Sequence, residues 1–293
     1  MKKKQDFTIS FEFFPPKTQE SLQNLLKTAT LLTEFAPTFF SVTYGACGST
    51  HDGTIETVRM LHEKTGIPIA PHLSCIGSLK KNIQEILYLY QSVGIKRLVA
   101  IRGDLPPHTK EAGELNFARD LVTLIREMTH DHFHIAVAAY PECHPEASGA
   151  QQDLIHLKKK IDAGADSAIT QYFFNPDAYF RFMDECAKQE IFIPVIPGIM
   201  PITNFAKLVR FSDTCGAEIP RWIRKRLESY ENDESSLQAF GMEVVHNLCQ
   251  RLINGGARGL HFYTLNQADA TSKLLKLLGV EIQRARTSGI HVL

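Results

Sequence analysis

The chain has 293 residues, with 32 Lys and Arg against 32 Asp and Glu, and so carries no formal net charge. Without a basic excess there is no long-range field to hold a nucleic-acid backbone, and nucleic-acid binding is not expected. A hydrophobic fraction of 44% and a charged fraction of 22% exclude a disordered chain.

Residues 1–5 are basic but lead into no secretory apolar region. The next apolar stretch, residues 7–14, carries Glu12 and ends at Pro15 and Pro16. No run of about 18 apolar residues occurs, so no membrane partner is expected. The longest charge-free candidate, residues 191–206, contains Pro194, Pro197 and Pro201. The cysteines Cys47, Cys75, Cys143, Cys186, Cys215 and Cys249 are scattered, with no CxxC pair. This favours a cytoplasmic protein with reduced thiols over a zinc ribbon or a redox pair.

Taken in chain order, β-rich apolar runs alternate with stretches of helical period. The runs cover residues 8–14, 38–44, 67–74, 97–102, 134–140, 167–173, 193–197 and 259–263. The helical stretches cover residues 19–34, 54–64, 79–93, 115–128, 150–163, 176–188, 204–211 and 236–253. Gly66 and Gly94 stand just past two of these helices, where a left-handed cap is preferred. The alternation predicts an α/β fold, a single (β/α)8 TIM barrel, with an extra helix over residues 219–230 after strand seven. No Ser/Gly-rich linker divides the chain, so residues 1–293 read as one domain. The competing fold is an open doubly wound sheet. It prefers a GxGxxG turn after an early strand, and Gly255, Gly256 and Gly259 precede a strand instead.

A barrel of this kind builds its active site at the C-terminal ends of its strands. Those ends supply Glu12, Thr43, His72, Arg102, Gly103, Asp104, Tyr140, Glu142, Gln171, Tyr172, Tyr263, Leu265 and Asn266, with His144 close behind. Glu12 lies between Phe11 and Phe13 on the opposite face of its strand. If the two rings face the helices, Glu12 and Ser10 point into the barrel. A carboxyl in a partly apolar site has a raised pKa and can then act as an acid. The bland alternative, an exposed edge-strand Glu, has no place in a closed barrel. Asp104 reads equally as an N-cap for the turn that follows it. Taken singly, His72, Tyr140 and His144 read as partly buried polar residues. The tempting cluster His130, Asp131, His132 and His134 precedes strand five, at the wrong face, and matches no familiar zinc spacing, so no metal is expected. Lys158, Lys159 and Lys160 form a solvated helix face, with Lys160 near enough to the rim to reach a phosphate. Tyr172, Phe173 and Phe174 read as core packing.

The motifs SFEFFPPK (residues 10–17), SVTYG (41–45), APHLSC (70–75) and RGDLPP (102–107) resemble those of the methylenetetrahydrofolate reductase family. So do AYPE (139–142) with HPE (144–146), AITQYF (168–173), IPGI (196–199) and HFYTLN (261–266). They occur in the family's order and cover nearly the whole chain; jointly they are specific, although each alone is weak. The length resembles the bacterial form, and no residues remain for the regulatory domain of the eukaryotic enzymes.

The resemblance implies a flavoprotein barrel with FAD as cofactor. It implies a nicotinamide donor, NADH rather than NADPH, and a folate substrate that is reduced to 5-methyltetrahydrofolate for methionine synthesis. Electrons pass in ping-pong order, and the protein is a homo-oligomer, a dimer or tetramer. Glu12 matches the family's proton donor. Asp104 matches a residue that holds the pterin and biases the flavin electrostatically. Gln171, Phe211 and Leu265 match substrate contacts. Thr43, His72, Arg102, Gly103, Asp104, Tyr140, His144, Asp153, His156 and Lys160 match flavin-binding positions. Arg102 and Lys160 suit phosphate charge. His156 is a departure, standing where related sequences often have Asn. Two other classes stay in view. An aldolase-type barrel needs a Schiff-base Lys at a strand end, and none is found. A non-catalytic barrel would have lost Glu12, Asp104 or Gln171, and all are present.

Overall fold

The computed structural model of the protein describes residues 7–44, 51–103, 113–230 and 232–280. Its strands are β1 (Thr8–Phe13), β2 (Phe39–Val42), β3 (Ile69–Ser74), β4 (Arg97–Ile101), β5 (His134–Ala139), β6 (Ser167–Thr170), β7 (Val195–Ile196), β8 (Gly198–Ile199) and β9 (Gly259–Tyr263). All pairings are parallel, in the order β7-β6-β5-β4-β3-β2-β1-β9-β8. The two end strands, β7 and β8, are halves of one run divided by Pro197, so the sheet closes on itself. Proline has no N–H to give the ladder, which explains the break within the expected seventh strand. Around it, Pro197 O accepts from His261 N at 3.0 Å, and Gly198 N donates to Thr170 Oγ1 at 2.9 Å.

The helices α1 (Gln19–Leu32), α2 (His51–Thr65), α3 (Lys80–Ser92), α4 (Ala118–Thr129), α5 (Ala150–Asp162) and α6 (Pro176–Lys188) each follow one strand. After β8 come three: α7 (Phe205–Cys215), α8 (Arg221–Glu228) and α9 (Glu234–Asn254). The expected extra helix is α8. The last helix, α10 (Asp269–Leu277), follows β9 and was not among the expected ones. Its polar opening turns, Asp269 to Lys273, leave Leu274, Leu275 and the exposed Leu277 to mark a period. Gly66 and Gly94 take φ of 68° and 79°, as their capping positions require.

Two apolar layers hold the barrel. Outside, Phe11, Phe13, Phe40 and Phe262 are buried between sheet and helices. Phe13 meets Phe40 edge-on at 5.2 Å. Each such side chain contributes roughly 1.5–3 kcal/mol by leaving water. Inside, a smaller cluster of Ala70, Val99, Ala136 and Ile169, flanked by Phe39 and Ile101, fills the lumen. Strand alternation then fixes the direction of Glu12. With Phe11 and Phe13 packed outward, Ser10 and Glu12 point inward. The register places Ser10 beside Phe39 and His261, and Glu12 beside Ser41 and Tyr263.

Barrel closure depends on a glycine. A Cβ on Gly198 would stand 2.2 Å from Thr170 O and 2.6 Å from Tyr263 Cε2. Tyr263 cannot retreat freely, because its hydroxyl donates to the same Thr170 O at 2.7 Å. Gly198→Ala is therefore expected to cost about 3 kcal/mol, as overpacking of a well-filled interior does. Chemical denaturation checks this; an unchanged midpoint would refute the closure argument.

Candidate active site

Glu12 is the centre of the site. Its side chain is 18% exposed, and its Oε2 stands 3.3 Å from His72 Nε2 and 3.6 Å from His261 Nε2. Ser41 Oγ donates to the same oxygen at 3.5 Å. Burial by itself pushes the Glu12 pKa up. The imidazoles of His72 and His261 more than reverse that, and hold it at about 2. The expected raised pKa is thereby corrected. The sequence shows an apolar strand but not the two imidazoles brought in from β3 and β9.

On one side of Glu12 a cleft of about 340 Å³ opens among the ends of β4 and β5 and the starts of α4 and α5. Arg102, Gly103, Tyr140, His144, Asp153, His156 and Lys160 all line it. Gly103 takes φ +85°, and a Cβ there would stand 2.0 Å from Ser74 Oγ. Lys160 is half-buried and donates to Ala138 O at 2.5 Å. Burial pushes its pKa down to about 8, against a partial pull upward from Asp153. Asp153 Oδ2 in turn accepts the His144 backbone N–H at 2.9 Å. His156 stacks on Phe117, with centroids 6.4 Å apart. Arg102 is paired with Glu146 at 2.6 Å across the mouth. That carboxylate was not foreseen as its partner, although it lies in the same motif as His144.

On the other side a cavity of about 350 Å³ is lined by Gln171, Phe211, Leu265, Met200 and Tyr263. Leu265 and Asn266 both have positive φ, 51° and 57°, an uncommon state for such residues. The bend is held in place from β1. The Asn266 side chain accepts from Phe14 N at 3.0 Å and donates to Phe14 O at 2.9 Å. Thr264 Oγ1 donates to Glu12 O at 2.6 Å. A narrower space between the two cavities is lined by Glu12, His72, Ile101, Tyr140, Gln171 and Tyr263. It shares Ile101, Ala138 and Tyr140 with the first and Glu12, His72 and Gln171 with the second. One continuous cleft thus crosses the barrel mouth, with the carboxylate near its middle.

Of the residues singled out from sequence, Thr43 lines none of these three spaces, and its buried Oγ1 has no partner among the described residues. Asp104 lies outside the described residues. Glu142 accepts from Glu218 N and Asn266 clamps the Phe14 backbone, and neither lines the cleft; Glu12, His72, Arg102, Gly103, Tyr140, His144, Asp153, His156, Lys160, Gln171, Phe211 and Leu265 do. The cluster at 130–134 stands at the opposite end of the barrel, where His134 Nε2 bonds Ser167 Oγ at 2.8 Å. Sequence reasoning passed over His261 and named Tyr263 and Asn266 only as rim residues, although all three sit in the HFYTLN motif. Strand alternation was the available signal, since it puts His261 on the lumen face with Tyr263.

A carboxylate whose folded-state pKa is depressed stabilises the fold above its ordinary value and loses that contribution as pH falls toward the folded value. For Glu12 the window runs from 4.5 down to about 2. Glu12→Gln should therefore lose less melting temperature than the parent across that window. Equal losses in thermal melts would contradict the ion-paired assignment.

Comparison with known proteins supplies the family. A sequence profile described as methylenetetrahydrofolate reductase matches residues 1–279. The 5,10-methylenetetrahydrofolate reductase of Buchnera aphidicola subsp. Acyrthosiphon pisum is 43% identical over 271 residues, 92% of this chain and 91% of that one. The methylenetetrahydrofolate reductase (NADH) 1 of Arabidopsis thaliana is 37% identical over 286 residues, 93% of this chain but 48% of that one. Among solved structures, an uncharacterized protein from Clostridium thermocellum, described as binding two copies of 5-methyl-5,6,7,8-tetrahydrofolic acid, shares the fold. Its TM-score is 0.64 at 14% identity, over 94% of this chain and 96% of that one. No helix among the described residues is long and apolar enough to cross a membrane. The chain belongs to the methylenetetrahydrofolate reductase family of oxidoreductases.

Proposed function

We propose that the protein is an FAD-dependent reductase of 5,10-methylenetetrahydrofolate. It forms 5-methyltetrahydrofolate with electrons from NADH, NADPH being the lesser donor, and so supplies methyl groups for methionine synthesis. The observation that carries this reading is the continuous cleft, with cationic groups at one end and a buried carboxyl near its middle. NADH as donor is supported by the name of the Arabidopsis relative. Cytoplasmic placement and assembly as a dimer or tetramer belong to the same reading and rest on the resemblance.

The residues present fit a flavin dinucleotide. The half-buried Lys160 ammonium lines the first space and donates to the uncharged Ala138 O, so its charge is available to an anionic ligand. Lys160 and Arg102 would meet its phosphates, with Tyr140, His144, Asp153 and His156 around them and Gly103 passing close to Ser74. When bound, the flavin supplies hydride storage between two half-reactions, so that donor and folate react in ping-pong order.

The chain's own residues then have distinct tasks. Phe211 and Leu265 offer apolar surface to a flat ring. Gln171, whose Oε1 is engaged by Tyr172 N at 3.0 Å, orients that ring by hydrogen bonding. Asp104 holds the pterin. Glu12 delivers a proton to the nitrogen that leaves when the five-membered ring of the folate opens.

Two measurements test this. The purified protein should be yellow and release FAD on denaturation, and Glu12→Gln should still be bleached by NADH while losing folate reduction by about a hundredfold or more. A colourless protein unable to take up FAD, or parental folate reduction in the variant, would overturn the reading. Lys160 gives a pH dependence. Its charged form binds phosphate and is lost as pH rises through about 8, so FAD affinity should weaken over that range. Lys160→Met should bind FAD about tenfold more weakly at neutral pH, with that dependence flattened. Isothermal titration across pH reads both.

A further inference from the structure

Glu142 stands between Tyr140 and His144, which line the first space of the cleft, yet its own carboxylate reaches toward the second. Its Oε2 accepts from Glu218 N at 2.8 Å, across 76 residues of sequence. Glu218 lies in the corner that joins α7 to α8. α7 is a wall of the second cavity, to which it gives Phe211, Thr214 and Cys215. Packing anchors that wall weakly. Of its 11 residues only Leu208 and Ser212 are buried, so polar ties decide where it stands. One is the contact of the Tyr172 hydroxyl with Ser212 Oγ, at 3.0 Å. The other lies past its end. Gly216, at φ +74°, runs so close to the loop after β5 that a Cβ would stand 2.7 Å from Pro145 Cγ, and the Glu142 bond to Glu218 follows. The second oxygen of that carboxyl, Oε1, is buried and has no hydrogen bond among the described residues. An interior oxygen without a donor weakens a fold, and departures of this kind are expected at functional positions.

We propose that Glu142 is a positioning residue for the folate step: by holding the α7–α8 corner it keeps Phe211 against the folate ring. This rests on the reading given above, in which Phe211 offers apolar surface to that ring. The tie acts through the backbone. The donor is the Glu218 N–H, so the side chain at 218 is dispensable, while the reach and the oxygen of the side chain at 142 are not. Without the bond the corner is free to leave Pro145, and the last turn of α7 moves with it. Glu12 on β1 and Gln171 at the end of β6 stay where they are. Folate therefore binds more weakly, while folate that is bound still meets its proton donor. The same loop carries His144 and Glu146 in the first space. One segment, residues 140–147, thus sets both ends of the cleft relative to each other.

The test separates affinity from rate in the FAD-loaded enzyme. In Glu142→Ala the folate concentration that half-saturates reoxidation of the reduced flavin should rise about tenfold, while the limiting rate stays within about twofold of the parent. FAD affinity should not change. Glu142→Gln keeps an oxygen that can accept from Glu218 N and should restore parental half-saturation. Glu218→Ala keeps the N–H and should match the parent. Parental half-saturation in Glu142→Ala would overturn the proposal, and so would a Glu142→Gln variant as impaired as Glu142→Ala. A fall in limiting rate together with loss of FAD would mean a general structural role and overturn it too.

Trp222 gives a readout that needs no turnover. It is the only tryptophan of the chain and stands on α8, just past the corner. It is 61% exposed and meets Phe240 edge-on, with centroids 6.0 Å apart. Its fluorescence anisotropy should fall in Glu142→Ala, through added motion of the corner, and keep its parental value in Glu142→Gln. Unchanged anisotropy in Glu142→Ala would refute the tie. If Glu142→Ala does not fold, Glu142→Asp, with an arm one methylene shorter, decides. The same shift in folate half-saturation is expected there, and a parental value would overturn the proposal. An enzyme that takes up FAD but never reduces folate would instead count against the proposed function and leave the Trp222 result standing.

Discussion

A carboxylate inside a closed barrel is the constraint around which the site is organised. An ion taken from water into an interior costs several kcal/mol unless charge and hydrogen bonds replace the lost hydration. Glu12 obtains that replacement from three strands: Ser41 on β2, His72 on β3 and His261 on β9. None of them is near it in sequence, so the charge is tolerable only after the barrel has closed. Closure in turn uses the Pro197 break and the Gly198 contact, because β8 must approach β9 to bring His261 into line. Fold and chemistry are coupled through this one group.

The coupling shows why the fold was legible and the company of Glu12 was not. Eight alternating runs separated by helical periods predicted a barrel, and the Phe11 and Phe13 pattern gave the inward direction of Glu12. Both signals are local. The pairing Ser10 with His261 joins strands at opposite ends of the chain and exists only through the register of β1 on β9. Local pattern therefore gave the carboxyl its place but the wrong sign of pKa shift. The missed helix α10 has a similar origin. Its polar first turns conceal a helix that gains its stability from packing Leu274 and Leu275 beneath it.

Short motifs carried more than periodicity did. Most of the positions they marked line one cleft, although the motifs are spread over the whole chain. They were silent about how the residues interact with one another. RGDLPP and HPE are separate motifs, yet Arg102 of one is ion-paired with Glu146 of the other. The left-handed bend at Leu265 likewise needs Asn266 clamped onto Phe14, a contact between the last strand's loop and the first's.

The zero net charge takes on a local meaning at the cationic end of the cleft. A phosphate that approaches Arg102 meets a guanidinium already neutralised by Glu146, so it gains only the difference between two anions. Lys160 is in the opposite condition. Its nearest partner is the uncharged Ala138 O, and burial has already weakened its hold on its proton. An incoming anion restores to that ammonium what burial removed. The residue that the sequence set apart from its two neighbouring lysines by its closeness to the rim is therefore the one whose charge changes most in value when a phosphate arrives. The same logic applies at Glu12, where the affinity for a proton is set by what its neighbours already hold. In both places the functional property lies in the difference between two occupied states of one buried group.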